Sequence, residues 1–201
     1  MDCYLDKHEE IKITTGGNLP HWHQDEKVQF ATFRLADSIP QKTISELNAV
    51  IASFKELNPE PWTYETKRRY RHLISKNQEQ MLDNGYGSCI LASKKIRAIV
   101  SDAIKAIDGV KYDLVAYVIM PNHIHILFCP YKEFKTSKIL QSLKSYTSHA
   151  INAALNRSGS VWKRETYDRI VRSEDELKHY RTYILNNPKF LPPDHYELYA
   201  K

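Results

Sequence analysis

The sequence predicts an α+β protein in which helices pack mainly on one face of an antiparallel sheet. Segments 28–35 and 112–128 are rich in β-branched and aromatic residues and are typical of strands. Other segments carry apolar residues every three or four positions, as amphipathic helices do. The two strands within 112–128 meet across the turn Pro121-Asn122, which predicts an antiparallel hairpin.

The first half of the chain predicts one strand followed by two helices. Strand 28–35 alternates in character, and helix 41–56 ends before an Asn-Pro pair. Residues 61–80 predict a second, charged helix that contains the basic run KRRYRH. Such a run can contact a phosphate backbone, but it more often forms a solvated helix face. We interpret 58–82 as a helical insertion within a single domain that spans 27–190.

The second half supplies the remaining elements of that domain. In order, the sequence predicts helix 92–107, strands 112–120 and 123–128, helix 136–156, a short strand within 161–171 and helix 173–186. The resulting order is typical of a ferredoxin-like or RRM-like sheet. We expect an N-terminal arm at 1–26. Prolines after residue 187 predict the end of the ordered part and a short tail at 191–201.

Composition narrows the class of protein further. The net charge of +5 and the pI near 8.9 indicate a mild preference for polyanions. The three cysteines are far apart and form no CxxC pair, which argues against a disulfide framework and a thiolate zinc site. The sequence has no apolar run of membrane-spanning length and no signal-peptide pattern. We therefore expect a cytoplasmic protein with no membrane partner.

The strand at 123–128 begins with the sequence His-Ile-His. Residues two apart on a strand share one face, so His123 and His125 project the same way while Ile124 faces the core. Two imidazoles placed in this way can converge on a divalent metal. They can also be polar residues on a solvated face, and the strand alone favours neither interpretation.

A second His-x-His pair, His21 and His23, flanks Trp22 near the N-terminus. Pro20 before the pair and the charged residues after it predict a loop or arm rather than a buried strand. Surface packing around Trp22 is favoured there over an ordered metal site.

The last predicted helix places Tyr183 and Asn187 four residues apart, on one helical face. A phenol that can attack and an amide oxygen that can bind a metal would then lie together. The alternative is a tyrosine packed on the sheet and an asparagine that ends the helix before Pro188. Considered alone, this helix favours the alternative.

Three motifs in sequence order change that balance. VIMPNHIHILF, VWKRETYDRIV and HYRTYILNNP together resemble the single-tyrosine transposases of the His-hydrophobic-His superfamily, in particular the REP-associated branch. The resemblance implies that His123 and His125 bind a metal with Asn187 as third ligand, and that Tyr183 is the nucleophile. It implies Mg²⁺ or Mn²⁺ as cofactor and single-stranded or hairpin DNA as partner.

The activity that this resemblance implies is that of an endonuclease and strand transferase. It would cleave single-stranded DNA near hairpins and form a 5′-phosphotyrosine intermediate. Two alternatives remain open. One is a non-catalytic module, derived from a transposase, that binds DNA hairpins. The other is a metal hydrolase of small phosphates, which would use bound water. The sequence leaves the oligomeric state open between a homodimer and a monomer.

Several further residues are candidates for the site or for DNA contact. Tyr180 is a rival nucleophile, Tyr146 a more distant one, and His149 is expected at the surface. Asp168 is expected either in a salt bridge or as an extra carboxylate near the metal. The predicted DNA contacts are Arg34, Lys144, Trp162, Lys163, Arg164 and Arg169.

Overall fold

In the computed structural model, which describes residues 3–15 and 20–201, the elements are as follows. The strands are β1 (Lys12–Thr15), β2 (Pro20–His23), β3 (Gln29–Arg34), β4 (Tyr112–Ile119), β5 (His123–Pro130), β6 (Tyr167–Ile170) and β7 (Glu197–Ala200). The helices are α1 (Gln41–Leu57), α2 (Tyr64–Asp83), α3 (Lys94–Lys105), α4 (Thr136–Ala154) and α5 (Glu174–Asn186). The chain divides into two units, one formed by Met1–Ala36 with Ile90–Lys201 and the other by Asp37–Cys89.

The larger unit is built on a five-stranded antiparallel sheet. Its spatial order is β6-β3-β5-β4-β7. Apart from α1 and α2, which come between β3 and α3 in the chain, the order is β3-α3-β4-β5-α4-β6, that of a ferredoxin-like βαββαβ unit. The α+β class predicted from the sequence is therefore confirmed, and the central strand β5 is the one that carries the two histidines.

The two faces of this sheet bury different helices. Ile124 and Ile126 face a core with the apolar stripes of α3 and α4, which include Val100 and Leu143. Side chains alternate along a strand, so Leu127 lies on the opposite face, in the core that contains residues of α5. Two of these helices thus pack on one face, and α5 covers the other, onto which the histidines project.

The C-terminal tail adds an element that the sequence did not predict. We expected the ordered part to end at the prolines, but β7 pairs antiparallel with β4. The Tyr199 ring stacks on the Tyr117 ring, with centroids 5.6 Å apart. Glu197 accepts hydrogen bonds from the Tyr117 hydroxyl at 2.8 Å and from Lys105 Nζ at 3.0 Å. These contacts lie far apart in sequence, so the local pattern around residues 197–200 does not reveal them.

The N-terminal segment also contains more structure than expected. The predicted arm at 1–26 includes residues 1, 2 and 16–19, which lie outside the described residues. We expected a loop around His21, but β2 pairs with β1 in a two-stranded sheet. The expected packing around Trp22 is present, with the Arg172 guanidinium 5.8 Å from the centre of its ring.

The smaller unit has its own apolar core. Ile39, Leu47, Met81 and Leu82 are buried together between the two helices α1 and α2. The Thr63 side chain caps α2 by accepting a hydrogen bond from the Thr66 backbone N–H at 3.1 Å. Over the described residues of both units, every helix is too short or too polar to cross a membrane.

Candidate active site

The strand β5 places His123 and His125 side by side under α5. Both side chains are almost fully buried, with exposed fractions of 1% and 2%. Their ring centroids are 4.7 Å apart. Polar residues on a solvated face keep contact with water, whereas these two imidazoles are closed off from solvent. The solvated-face interpretation of this strand is therefore wrong.

His123 holds a lone pair ready for a ligand. Its Nδ1 lies 2.7 Å from Asn122 Oδ1, an acceptor, so Nδ1 carries the proton and Nε2 does not. Nε2 is buried and has no hydrogen-bond partner. Burial lowers the pKa of His123 to about 3, an effect that the nearby Asn187 side chain partly opposes. The ring is consequently neutral at physiological pH.

His125 is oriented by β3 and contacts α5. Its Nδ1 lies 2.7 Å from the Thr32 hydroxyl on the neighbouring strand. Its Nε2 lies 3.3 Å from the Tyr183 hydroxyl oxygen. Burial, assisted by the nearby His123, holds the pKa of His125 well below its usual value. A neutral ring that bonds to Thr32 through Nδ1–H offers its Nε2 lone pair to Tyr183 or to a metal ion, but not to both at once.

Several contacts fix the start of α5. The Ser173 hydroxyl accepts from the Glu176 backbone N–H at 3.2 Å, as in a capping box. Glu176 Oε1 accepts from Arg169 Nη2 at 2.6 Å, and its Oε2 accepts from the Arg172 backbone N–H at 2.6 Å. These bonds tie the first turn of the helix to β6. Buried Ile184 then holds the third turn against the sheet.

Two tyrosines of α5 face the sheet, and the hydroxyl of Tyr183 reaches a histidine of β5. Tyr180 stacks on Phe30 with ring centroids 4.2 Å apart, and burial raises the pKa of its hydroxyl. The Tyr183 ring meets Phe30 and His125 edge-on, at 6.0 and 5.0 Å. The ring of Tyr183 thus packs on the sheet, as the helix alone suggested, and its hydroxyl also reaches the histidine pair.

Asn187 follows the last turn of α5 and completes the group that we call the histidine–tyrosine site: His123, His125, Tyr183 and Asn187. Asn187 Oδ1 is buried without a hydrogen-bond partner, as is His123 Nε2. Two orphaned acceptors beside His125 Nε2 form a neutral N,N,O donor set that suits a divalent cation. The described residues contain no cluster of three His, Cys, Asp or Glu side chains, so this set depends on the amide oxygen.

Among the predicted DNA contacts, Arg34 lies next to this site. It pairs with His123 across β3 and β5, and directly opposed residues share a face of the sheet. Burial lowers the pKa of Arg34, while the charge of Glu165 opposes that effect. Arg34 therefore lies on the same face of the sheet as the histidines.

The other predicted contacts have different surroundings. Lys144 Nζ donates to the backbone oxygens of Lys163 and Arg164, at 2.7 and 2.8 Å, and burial lowers its pKa to about 8. The side chains of Lys163 and Arg164 are exposed, while Arg169 bonds to Glu176. Lys144 and Arg169 thus hold the segment before β6 and the start of α5.

Two of the sequence-based roles are corrected. Trp162 is 4% exposed, and its indole N–H donates to Thr147 Oγ1 at 2.9 Å inside the core, so it has no face to stack on a base. Asp168 pairs with Ala31 across the strands and thus lies on the face away from the histidines. Its carboxylate is bonded to His21, so of the two roles expected for Asp168 a place near the metal site is wrong, whereas pairing with a basic side chain is present.

The two remaining candidates, Tyr146 and His149, lie away from the histidine–tyrosine site. Tyr146 and His149 are exposed on α4, which packs on the opposite face of the sheet. The residues missed by sequence reasoning are Thr32 and Phe30, which orient His125 and separate it from Tyr180. Alternation along β3 could place both on one face, but only the register with β5 shows that they meet the histidines.

The fold and this site together define an α+β protein in which paired histidines on a central strand face a tyrosine on the last helix. The family model described as "Transposase IS200 like" matches residues 66–187, more than half of the chain. The chain belongs to this family of IS200-like transposases, which confirms the resemblance drawn from the sequence at that level.

The chain is also similar to a solved structure of a REP-associated tyrosine transposase bound to a REP hairpin. The match covers 86% of this chain and 73% of that chain, with 14% identity and a TM-score of 0.45. The search of curated proteins finds no match.

Proposed function

We propose that this transposase is a metal-dependent endonuclease and strand transferase for single-stranded DNA, acting near DNA hairpins. The observation that carries the proposal is the pairing of Tyr183 Oη with His125 Nε2 at 3.3 Å, beside the two orphaned acceptors on His123 and Asn187. A nucleophile and a donor set for a divalent cation, on facing elements, are the two parts that phosphodiester cleavage by a tyrosine requires.

In the proposed step, the Tyr183 oxygen attacks the scissile phosphorus. The Tyr183 hydroxyl loses its proton to solvent as the Tyr183–phosphate ester forms. The bond from phosphorus to the 3′-oxygen breaks, and that oxygen takes up a proton from solvent to leave a free 3′-OH, so no proton is gained or lost overall. The ester retains the energy of the phosphodiester, so a second 3′-OH can attack it and rejoin DNA without ATP. Burial of the histidine–tyrosine site limits the entry of water that would hydrolyse the ester.

His123, His125 and Asn187 would hold Mg²⁺ or Mn²⁺. When bound, the cation supplies charge stabilisation for the phosphate and for the departing 3′-oxygen. Two imidazole nitrogens favour Mn²⁺ more than an all-oxygen cage would. Arg34, next to His123 in the sheet, would hold a non-bridging oxygen of the same phosphate.

A denaturing gel tests this proposal directly. Wild-type protein, a labelled hairpin oligonucleotide with a single-stranded flank, and Mn²⁺ should give a covalent protein–DNA adduct. The adduct should be lost in Tyr183→Phe and His123→Ala and should persist in Tyr180→Phe, the matched control on the same helix. An adduct that survives in Tyr183→Phe but not in Tyr180→Phe would move the nucleophile to Tyr180.

A native gel run beside the denaturing gel addresses the alternative of a non-catalytic hairpin-binding module. Such a module would retain the oligonucleotide in a native gel, with the salt dependence of phosphate contacts, yet cleave no strand under any metal condition. That result would refute the proposed chemistry.

A further inference from the structure

The turn that follows α5 carries a phenylalanine that the proposed chemistry does not use. Phe190 is 91% exposed, the highest value among the large apolar side chains that are exposed in the described part of the chain. The other five phenylalanines are buried or partly buried. Phe190 thus presents to solvent a ring without a polar atom, and both faces of such a ring can stack on another aromatic group.

The turn is anchored at both ends, which sets the position of the ring relative to α5. The Lys189 backbone N–H donates to the Asn186 carbonyl oxygen at 3.1 Å, and the Leu191 N–H donates to the Pro188 carbonyl oxygen at 2.9 Å. Pro188 is buried, and Leu191 packs against the core on the histidine face of the sheet. The chain therefore makes a β-turn with Lys189 and Phe190 at its two central positions.

Phe190 lies close to the histidine–tyrosine site. It follows the proposed metal ligand Asn187 by three residues. Consecutive Cα atoms are about 3.8 Å apart, so the Cα atoms of these two residues are separated by at most about 11 Å. Both residues belong to the same unit of the chain. A single strand whose phosphate occupies the site would therefore have a neighbouring base within reach of the ring.

The charge beside the ring suits a nucleic acid. Lys189 is exposed, and its Nζ lies 5.7 Å from the centre of the Phe190 ring. The nearest acidic residue in the sequence is Asp194, four positions further on. Surfaces that hold single strands combine an aromatic ring, on which a base stacks, with a cation for the backbone phosphate.

Building on the proposed function, we propose that Phe190 stacks on a base of the single strand next to the scissile phosphate, while Lys189 contacts the phosphate beside that base. Every base has a π face, so this contact holds the strand without reading a pattern of hydrogen bonds. The ring would fix the nucleotide next to the cleavage point and so keep the phosphorus within reach of the Tyr183 oxygen.

A base suits this ring better than a protein partner does. Stable protein interfaces bury about 800 Å² on each side and have an apolar centre formed by several side chains. On α5 and the turn after it, the exposed large apolar side chains are Leu185 and Phe190. Asn186 and Lys189, which are also exposed there, are polar. One ring among polar groups can stack a base but cannot form the centre of such an interface.

Abasic nucleotides test for a stacked base. The probe is a labelled hairpin oligonucleotide with a single-stranded flank, in which one nucleotide of the flank at a time is replaced by an abasic one. Affinity is measured in EDTA, and adduct formation in Mn²⁺ maps the cleavage point. Phe190→Ala removes the ring and Phe190→Trp keeps one. Tyr146→Ala, which removes an exposed ring from α4, is the control.

We expect Phe190→Ala to bind the intact oligonucleotide about tenfold more weakly than wild type, and Phe190→Trp to bind within about twofold of it. At one abasic position next to the cleavage point, wild type should also lose about tenfold, and Phe190→Ala should lose nothing further there. Tyr146→Ala should match wild type.

Three results would overturn the inference. They are wild-type affinity in Phe190→Ala, a loss in Phe190→Ala that is the same at every abasic position, and a change in oligomeric mass with unchanged affinity for DNA. Wild-type protein that binds the oligonucleotide but forms no adduct would refute the proposed function instead. The abasic series in EDTA would still show whether the ring holds a base.

Discussion

At the scale of single residues, the site depends on which nitrogen of each histidine is free. Asn122 and Thr32 engage the Nδ1 atoms, and this directs both Nε2 atoms towards α5. The Asn122 oxygen sets the tautomer of His123, and both partners set the orientation of a ring before any ligand binds. The same arrangement makes Tyr183 and a metal ion competitors for the lone pair on His125.

This competition leads to a prediction about metal binding. Tyr183→Phe removes the hydroxyl that contacts His125 Nε2 and leaves the side chains of the three proposed ligands unchanged. Mn²⁺ should therefore bind to Tyr183→Phe at least as tightly as to wild type, with a gain of no more than about fivefold for one hydrogen bond. Titration calorimetry measures this in the absence of DNA. Weaker binding in Tyr183→Phe, or unchanged binding in His125→Ala, would contradict the assignment of ligands.

The buried His123 also predicts a pH dependence of stability in metal-free protein. Its pKa is about 3 in the folded chain and near 6.5 in the unfolded chain. Between these values the unfolded chain binds a proton that the folded chain does not. The free energy of unfolding should therefore fall as the pH falls, by up to about 1.4 kcal/mol per pH unit.

Urea unfolding in EDTA at pH 7.5, 6.5 and 5.5 measures that slope. Glutamine at position 123 can still donate to Asn122 but does not titrate, so His123→Gln is the control. Wild type should lose more stability than His123→Gln on going from pH 6.5 to 5.5. Parallel curves would mean that His123 takes up a proton in the folded state.

At the scale of elements, the position of Tyr183 depends on how α5 begins. Glu176 connects the first turn to Arg169 on β6 and to the Arg172 backbone. Glu176→Ala should lower the free energy of unfolding by about 1–3 kcal/mol, because charge-assisted hydrogen bonds are lost and the half-buried Arg169 loses its partner. Thermal or urea unfolding measures the loss.

Glu174→Ala is the matched control for this change. Glu174 lies in the same turn and pairs with Lys178, but both side chains are largely exposed to solvent. Its removal should leave the unfolding midpoint close to that of wild type. If the two variants are equally stable, the contact between α5 and β6 does not anchor the helix.

The elements themselves were largely predictable from the sequence, because their signals are local. The apolar stripe of α3, the capping box of α5 and the alternation of β5 each lie within one segment. The pairing of β7 with β4 depends on residues some eighty positions apart, and that of β1 with β2 gives a weak local pattern. For the site, alternation predicted the shared face of His123 and His125, but the roles of Thr32 and Asp168 depend on strand register.

At the scale of the whole molecule, one chain contains every part of the proposed site. Tyr183 on α5 reaches His125 of the same chain, so we expect the proposed cleavage to need only one protomer. A mixture of two inactive variants tests this. Tyr183→Phe retains the ligands and His123→Ala retains the nucleophile, so the two could restore activity only by sharing a site between chains.

We expect the mixture to form no adduct at any protein concentration, as each variant does alone. The His123→Ala chain carries a size tag in the experiment, so that an adduct on it can be recognised on the gel. A tagged adduct would mean that α5 of one protomer acts in the histidine site of its partner. In that case the active form would be a dimer that exchanges this helix, and the contact between Tyr183 and His125 within one chain would belong to a resting arrangement.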